Sequence, residues 1–386
     1  MNQYADKNQN NDAAVTVGDA LGIIIAGGGT GGHLFPGIAI AQEFMARNPR
    51  NRVLFVSTGN AMERSVLAKA GFRLKTITAE GIKGRGIFNQ VKSMLKIPWG
   101  IAGSVRAIRA YRPNVVLGVG SYSSGPVVMG AWLMGIKIAL HEQNILPGMT
   151  NRMLSHFARR IFVSFENTCA RFNRAKVCVS GNPVRNEILA LRADPKATGT
   201  ALQQKGRFRV LIIGGSQGAH RINLAVMEAL AHLKDKDRYY FVHQTGIQDE
   251  TALKQAYQEA GVAGLAAPFF DDMAQQYGAA DLIVCRAGAT TVAEISVAAK
   301  GVIFIPFPYA ADNHQELNAR ALSETGAAEI MLEKDLDGRH LARRIEHYAA
   351  NPEALKRMSQ KAGALGRPDA ARMIVDGCYR LVSERN

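Results

Sequence analysis

Leu21-Gly-Ile-Ile-Ile-Ala-Gly-Gly-Gly-Thr-Gly-Gly-His33 joins an apolar run, typical of a buried strand, to a glycine-rich turn that opens a helix. The same order returns 187 positions later in Arg209-Val-Leu-Ile-Ile-Gly-Gly-Ser-Gln-Gly-Ala-His220. The repeats of a solenoid recur about every 20–50 residues. A duplication over this much longer distance therefore indicates two similar domains.

Alternating strand and helix patterns surround both copies and predict an α/β fold. Such alternation gives a parallel sheet with helices on both faces. We therefore predict two Rossmann-like, doubly wound parallel-sheet domains that face a central cleft. The predicted divisions are a disordered tail at 1–19, a first domain at 20–184, a linker at 185–207, a second domain at 208–367 and a C-terminal helix at 368–386. Whether that helix crosses back to the first domain stays open.

The composition sets limits on the class of protein. The 386 residues are enough for two hydrophobic cores. The four cysteines have no metal-ligand spacing, so reduced thiols in a cytosol are expected, and no metal site. The chain starts with polar residues rather than a signal peptide, and no apolar run reaches the roughly 18 residues of a membrane span.

The positive charge lies in one half of the chain. Basic residues exceed acidic ones by 15, yet residues 205–386 contain 22 of each, so the whole excess lies before them. This asymmetry predicts a polyanionic partner: nucleic acid, anionic lipid or a phosphorylated ligand. The aromatic residues do not form a stacking platform, so nucleic acid is not expected.

Apolar residues interleaved with the basic ones favour an anionic membrane surface as this partner, because a basic amphipathic segment with Trp and Phe suits a bilayer interface. An ordinary amphipathic helix packed on its own domain would give the same pattern. We define the membrane patch as Ile87, Phe88, Lys92, Lys96 and Trp99.

Two enzyme classes match the glycine motifs only formally. A dinucleotide fold needs a carboxylate about 20 residues after its glycines, at the end of the next strand, whereas the next strand here ends in Ser57-Thr58-Gly59 and no carboxylate follows it before Glu63. Gly214-x-Ser216-x-Gly218 matches the nucleophile elbow of hydrolases, with Asp312 and His314 following in the order of a triad. However, Ser216 aligns with Gly29 of the first loop, and duplication explains both loops whereas a triad explains one.

The remaining interpretation is that the loops hold polar ligands at helix N-termini. Glycine allows backbone N–H groups to approach closely, and the helix dipole favours anionic oxygens. A third loop of this kind leads from Cys285 to Glu294, whose carboxylate could accept hydrogen bonds from ribose hydroxyls. A solvent-exposed helix acid would have the same spacing.

Together the motifs resemble the MurG family of peptidoglycan N-acetylglucosaminyltransferases from residue 20 to about residue 380. The residues that carry the resemblance are Gly28-Gly-Thr-Gly-Gly-His33, Gly118-x-Gly120-x-Tyr122-x-Ser124-Gly-Pro126, His141-Glu-Gln-Asn144, Gly181-Asn-Pro-Val-Arg185, Gly214-Gly-Ser-Gln-Gly218 and Cys285-Arg-x-Gly288 with Glu294.

This resemblance implies a GT-B glycosyltransferase that moves N-acetylglucosamine from UDP-GlcNAc to the C4 hydroxyl of lipid I, giving lipid II for the cell wall and so for cell shape and division. It implies inversion at the anomeric carbon, no cofactor, and peripheral attachment to the cytoplasmic face of the inner membrane, beside other cell-wall synthesis proteins. A UDP-sugar transferase acting on another lipid or natural-product acceptor is the closest alternative.

The resemblance also assigns roles to residues. His33 would be the general base, with His141 and Glu142 in reserve; the alternative for His33 is a hydrogen-bonded residue that shapes its loop. UDP-GlcNAc would be bound by Thr30, Gly31, Gly32, Asn144, Arg185, Ser216, Phe270, Ala289, Thr290, Thr291, Val292, Ala293, Glu294 and Gln315. The chain departs from the family pattern at Ser121, His314 and Phe270.

Overall fold

The computed structural model describes residues 20–80, 96–193, 206–215 and 218–384. The tail at 1–19, three members of the membrane patch (Ile87, Phe88 and Lys92) and Ser216 lie outside these residues. Among the described residues, no helix is long and apolar enough to cross a bilayer.

The first domain is built on one parallel sheet. Its strands are β1 (Gly22–Ala26), β2 (Arg52–Ser57), β3 (Arg73–Thr76), β4 (Val115–Gly118), β5 (Lys137–Glu142), β6 (Arg160–Val163) and β7 (Val177–Val179). They lie in the order β3-β2-β1-β4-β5-β6-β7. The helices are α1 (Gly31–Arg47), α2 (Ala61–Lys69), α3 (Ile97–Tyr111), α4 (Ser124–Leu133) and α5 (Met149–Leu154).

The second domain repeats this plan. Its strands are β8 (Phe208–Ile213), β9 (Tyr239–Gln244), β10 (Gly264–Ala267), β11 (Leu282–Cys285), β12 (Gly301–Phe304) and β13 (Glu329–Ile330), in the order β10-β9-β8-β11-β12-β13. Its helices are α6 (Asn186–Ala193), α7 (His220–His232), α8 (Glu250–Ala260), α9 (Met273–Ala279), α10 (Ala289–Ala298), α11 (His314–Ser323), α12 (Gly338–Ala350) and α13 (Pro352–Leu365).

The central strands are mostly apolar, with Arg209 at the start of β8 as an exception, because helices cover both faces of a parallel sheet. All five residues of β1 are buried, and so are the last five of β8. The strand order reverses between β1 and β4 and again between β8 and β11, and crevices outside such reversal points are where open α/β sheets bind ligands. The two glycine loops follow β1 and β8, so each lies at a reversal point.

The ends of the second domain differ from a simple linker-and-tail plan. The segment predicted as a linker contains α6, whose Ile188 and Leu191 are buried in the second domain's core. The last helix, α14 (Ala370–Ser383), packs on the first domain instead. Asn51 donates to the Tyr379 hydroxyl at 2.6 Å, and Lys137 Nζ donates to the Val382 carbonyl at 3.1 Å.

Candidate active site

The two domains contact each other where the N-terminus of α1, after the first glycine loop, meets the N-terminus of α10, after the loop at Gly288. Pro36 lies inside α1 and has no N–H group, so the carbonyl of Gly32 lacks the donor that an α-helix would supply four residues on. The hydroxyl of Thr290, at the start of α10, donates to this carbonyl at 3.1 Å. A proline in the first domain thus leaves an acceptor that the second domain uses.

The first glycine loop is fixed by Glu63, which is fully buried. Its Oε1 accepts from the backbone N–H of Gly29 at 2.5 Å and from Ser57 Oγ at 2.6 Å, and its Oε2 accepts from Asn60 N at 2.8 Å. A Cβ atom at Gly28 would lie 2.0 Å from Glu63 Oε1, so only glycine fits there. Glu63, the first carboxylate after β2, is therefore a support for the glycine loop, a role that the sequence did not reveal.

His33 follows this loop and presents one basic nitrogen. Its Nδ1 lies 3.0 Å from the carbonyl oxygen of Val119 and 3.2 Å from Gln143 Oε1. Because a carbonyl oxygen only accepts, Nδ1 carries the proton in the neutral ring and Nε2 keeps its lone pair. Burial lowers the pKa of His33 below 6.5, against the opposing charge of Glu142, so the neutral form dominates near pH 7.

His141 and Glu142, the reserve candidates for the general base, are held by structural hydrogen bonds. His141 is fully buried, with Nε2 donating to the Gly181 carbonyl at 3.3 Å, and burial lowers its pKa to about 4. The Glu142 carboxylate is buried and accepts from the backbone N–H groups of Asn144 and Gly148 at 3.0 and 3.1 Å. Both residues shape the loop after β5, which favours His33 as the base.

Arg185 and Glu294 form an ion pair. Arg185 Nε donates to Glu294 Oε1 at 2.9 Å, and its guanidinium lies 4.7 Å from the centre of the Phe35 ring. The hydroxyl of Tyr277 donates to the other carboxylate oxygen of Glu294 at 3.2 Å. The resemblance assigns Arg185 to the diphosphate and Glu294 to the ribose of the donor, and the structure places the two side chains in direct contact.

The loop before α10 presents its backbone rather than its side chains. Gly288 precedes the helix, so residues 289–293 form its first turns with their N–H groups at the N-terminal end. The Val292 side chain is buried in the second core, and so is the Phe270 ring. The Val292 N–H donates to the Gly288 carbonyl at 2.9 Å, so within this turn the N–H groups that point to a ligand are those of residues 289–291, and Phe270 offers its backbone. Gln315 Oε1 accepts from Ala287 N at 3.2 Å and from Phe307 N at 3.1 Å.

Two of the departures from the family pattern have a visible local effect. Ser121 adopts φ +69, in the left-handed region that favours glycine, so the serine is held there at some conformational cost. The ring of His314 is tied to its own turn, with Nδ1 2.6 Å from the Ala311 carbonyl oxygen.

The described members of the membrane patch lie at the start of α3. Lys96 pairs with Glu80, the one acidic residue between Lys69 and Arg112, and the Trp99 side chain is 74% exposed. Exposure to this degree is unusual for tryptophan and suits a side chain that meets another surface.

Comparison with known families covers both domains. Residues 23–163 match the glycosyltransferase family 28 N-terminal domain, and residues 209–374 match the glycosyltransferase family 28 C-terminal domain.

Named relatives match nearly the whole chain. A UDP-N-acetylglucosamine--N-acetylmuramyl-(pentapeptide) pyrophosphoryl-undecaprenol N-acetylglucosamine transferase from Syntrophus aciditrophicus (strain SB) is 48% identical over 361 residues, which are 93% of this chain and 98% of the relative. The protein of the same name from Myxococcus xanthus (strain DK1622) is 46% identical over 361 residues, or 93% of each chain.

Solved structures agree. MurG of Acinetobacter baumannii superposes with a TM-score of 0.74 at 30% identity, covering 93% of this chain and 99% of that one. A UDP-GlcNAc 2-epimerase from Neisseria meningitidis bound to UDP-GlcNAc has a TM-score of 0.65 at 14% identity, covering 92% and 98%, which shows a shared fold alone.

Proposed function

The chain belongs to the MurG family within glycosyltransferase family 28, and from this premise we propose how its cleft carries out the reaction. The enzyme transfers N-acetylglucosamine from UDP-GlcNAc to undecaprenyl-pyrophosphoryl-MurNAc-pentapeptide, converting lipid I to lipid II in peptidoglycan synthesis. The 48% identity to a named transferase over 93% of the chain carries this conclusion, because it spans both domains and the cleft between them.

We assign proton removal to His33. In the proposed step, Nε2 takes the proton of the acceptor's C4 hydroxyl while that oxygen bonds to the anomeric carbon. The bond from the anomeric carbon to the β-phosphate oxygen breaks, and its electron pair leaves with UDP. Attack from the face opposite UDP inverts the configuration from α to β. The support is the bond from Nδ1–H to the Val119 carbonyl, which leaves Nε2 as the basic atom, and the lowered pKa, which keeps it neutral.

The donor would displace the Arg185–Glu294 pair. In this proposal the guanidinium turns to the diphosphate, the carboxylate accepts from the ribose hydroxyls, and the N–H groups of residues 289–291, in the first turn of α10, bind phosphate oxygens. Arg185 exchanges one anionic partner for another and stays compensated, whereas the more buried Glu294 carboxylate is then satisfied by hydroxyl donors from the ribose and from Tyr277. Backbone N–H groups and Arg185 together stabilise the charge that develops on UDP.

Other donor contacts follow the family pattern. Thr30, Gly31 and Gly32 would line the cleft from the first domain, Asn144 and Gln315 would meet the sugar, and the backbone at Phe270 would meet the uracil. Ser216 would contact the diphosphate. UDP-GlcNAc is a substrate rather than a cofactor, and we propose that no cofactor takes part.

We propose that the enzyme works peripherally at the cytoplasmic face of the inner membrane. The basic excess of the first half of the chain and the exposed Trp99 support an anionic bilayer as its partner. An undecaprenyl-anchored acceptor stays in the bilayer, so an enzyme that uses it has to reach that surface.

The test is a transfer assay with purified enzyme, lipid I and radiolabelled UDP-GlcNAc. We expect label in lipid II, and UDP-glucose and UDP-galactose to serve poorly in parallel reactions. Transfer to other lipid acceptors with no transfer to lipid I would overturn the assignment.

A further inference from the structure

Asn318 joins the two domains at the predicted sugar contact. It lies in α11 and is fully buried. Its Oδ1 accepts from the backbone N–H of Ile145 at 3.1 Å, and its Nδ2 lies 3.2 Å from Asn144 Oδ1 and 3.3 Å from the Ala287 carbonyl oxygen. Ile145 and Asn144 belong to the first domain, whereas Ala287 precedes the phosphate-binding turn of the second.

The orientation of both amides follows from these partners. A backbone N–H only donates and a backbone carbonyl only accepts, so Ile145 and Ala287 fix which end of Asn318 is oxygen and which is nitrogen. The remaining N–H of Asn318 then points at Asn144 and requires an oxygen there. Asn144 Oδ1 therefore accepts from Asn318 with one of its two lone pairs, and Asn144 Nδ2 faces Glu142 Oε1 at 3.4 Å with a further N–H available.

We propose that Asn318 is a positioning residue that orients the side-chain amide of Asn144 so that its Nδ2 donates to the donor sugar. This inference rests on the proposed function, in which Asn144 meets the sugar of UDP-GlcNAc. The group of the sugar that Asn144 recognises is then a hydrogen-bond acceptor, such as a hydroxyl oxygen or the acetamide carbonyl. Because Asn318 also holds Ala287, the sugar contact in the first domain is completed only when the phosphate loop of the second domain is in place.

The substitution Asn318→Asp tests this role. It preserves volume but replaces two N–H donors by an oxygen that repels Asn144 Oδ1. Asn51→Asp is the matched control, because Asn51 is also buried, accepts from one backbone N–H (Leu21, 2.9 Å) and donates from Nδ2 to two oxygens, far from the cleft. Both variants lose the same kind of bonds, and Asn318→Ala serves as a second variant that introduces no charge.

Calorimetric binding of UDP-GlcNAc and of UDP separates positioning from general damage. We expect Asn318→Asp and Asn318→Ala to bind UDP-GlcNAc about tenfold more weakly, the effect of one lost hydrogen bond in a desolvated site, while UDP binds within about twofold of wild type. Asn51→Asp should leave both affinities unchanged. Equal loss of UDP and UDP-GlcNAc binding, or no loss of either, would overturn the proposal.

A double-mutant cycle with Asn144→Ala tests the coupling directly. We expect Asn144→Ala combined with Asn318→Ala to lose no more UDP-GlcNAc affinity than Asn144→Ala alone, because the second residue acts through the first. Additive losses would contradict the inference while leaving the enzyme's function intact. A wild-type enzyme that binds UDP but not UDP-GlcNAc would instead refute the proposed function itself.

Discussion

Replacing Glu63 should show how much the first glycine loop depends on a single buried carboxylate. Three donors converge on its two oxygens: Gly29 N and Ser57 Oγ on Oε1, and Asn60 N on Oε2. In Glu63→Gln the amide oxygen can satisfy the first two, but its NH2 group then faces the N–H of Asn60. A buried donor without an acceptor costs about 1–3 kcal/mol. The lost bond is one of the two reciprocal bonds of the capping box at the start of α2, in which Asn60 Oδ1 accepts from Glu63 N and Glu63 Oε2 accepts from Asn60 N. We expect the free energy of unfolding to fall by about 2 kcal/mol.

Glu63→Ala removes both acceptor oxygens, so all three donors lose their partner and Gly29 is freed. We therefore expect a larger loss, about 3 kcal/mol or more, together with a lower kcat, because Thr30 and His33 follow the released glycine directly. Urea denaturation followed by circular dichroism measures the stability, and the transfer assay measures kcat. The control is Glu43→Gln on α1, a partly exposed acid that lies 3.6 Å from Arg47 and should change stability by less than about 0.5 kcal/mol. If Glu63→Gln were as stable as this control, the carboxylate would not be what holds the loop.

Three further predictions concern the base, its buried neighbour and the membrane. His33→Ala should lower kcat about 100-fold or more with little change in the Kd of UDP-GlcNAc, and an unchanged kcat would remove His33 from the chemistry. The rate of the wild-type enzyme should fall only as pH drops through the lowered pKa of His33, below 6.5. His141, with a folded pKa of about 4 against 6.5 when unfolded, binds its proton more readily in the unfolded state, so stability should decline by about 3 kcal/mol as pH falls from 6.5 to 4. His141→Asn should flatten that part of a plot of melting temperature against pH, and an unaltered slope would show that another group titrates there. Binding to anionic vesicles in a sedimentation assay should weaken with added salt. It should disappear when Ile87, Phe88, Lys92 and Lys96 of the membrane patch are replaced together, whereas binding that persists in this variant would place the anchor elsewhere.

The sequence by itself determined the elements that depend on local patterning. Apolar runs followed by glycine turns predicted β1 and β8, the duplicated domains and the parallel sheets, because a strand buried on both faces has to be apolar throughout. The apolar patterns predict strands at 22–26, 53–57, 74–77, 115–119, 138–141, 161–164, 210–213, 240–243, 282–285 and 302–305, and the observed strands agree with these to within two residues at either end. The missed strands, β7, β10 and β13, are two to four residues long and lie at sheet edges, where too few residues are present for a pattern to form. The sequence pattern predicts a helix over 37–47, because the proline and glycines before it suggest a loop, whereas α1 already begins at Gly31.

Tertiary structure decided which side chains meet. Thr290 bonds Gly32 across 258 positions, Asn318 bonds Asn144 across 174, and Arg185 pairs with Glu294 across 109. No local pattern encodes such pairs, since each depends on how the two sheets and their covering helices are placed in space. The sequence could name the groups able to bind a nucleotide sugar, because glycine, hydroxyl and charge have that chemistry wherever they lie. Which of those groups hold one another, and which one is left with a free lone pair, follows only from the packing of one domain against the other.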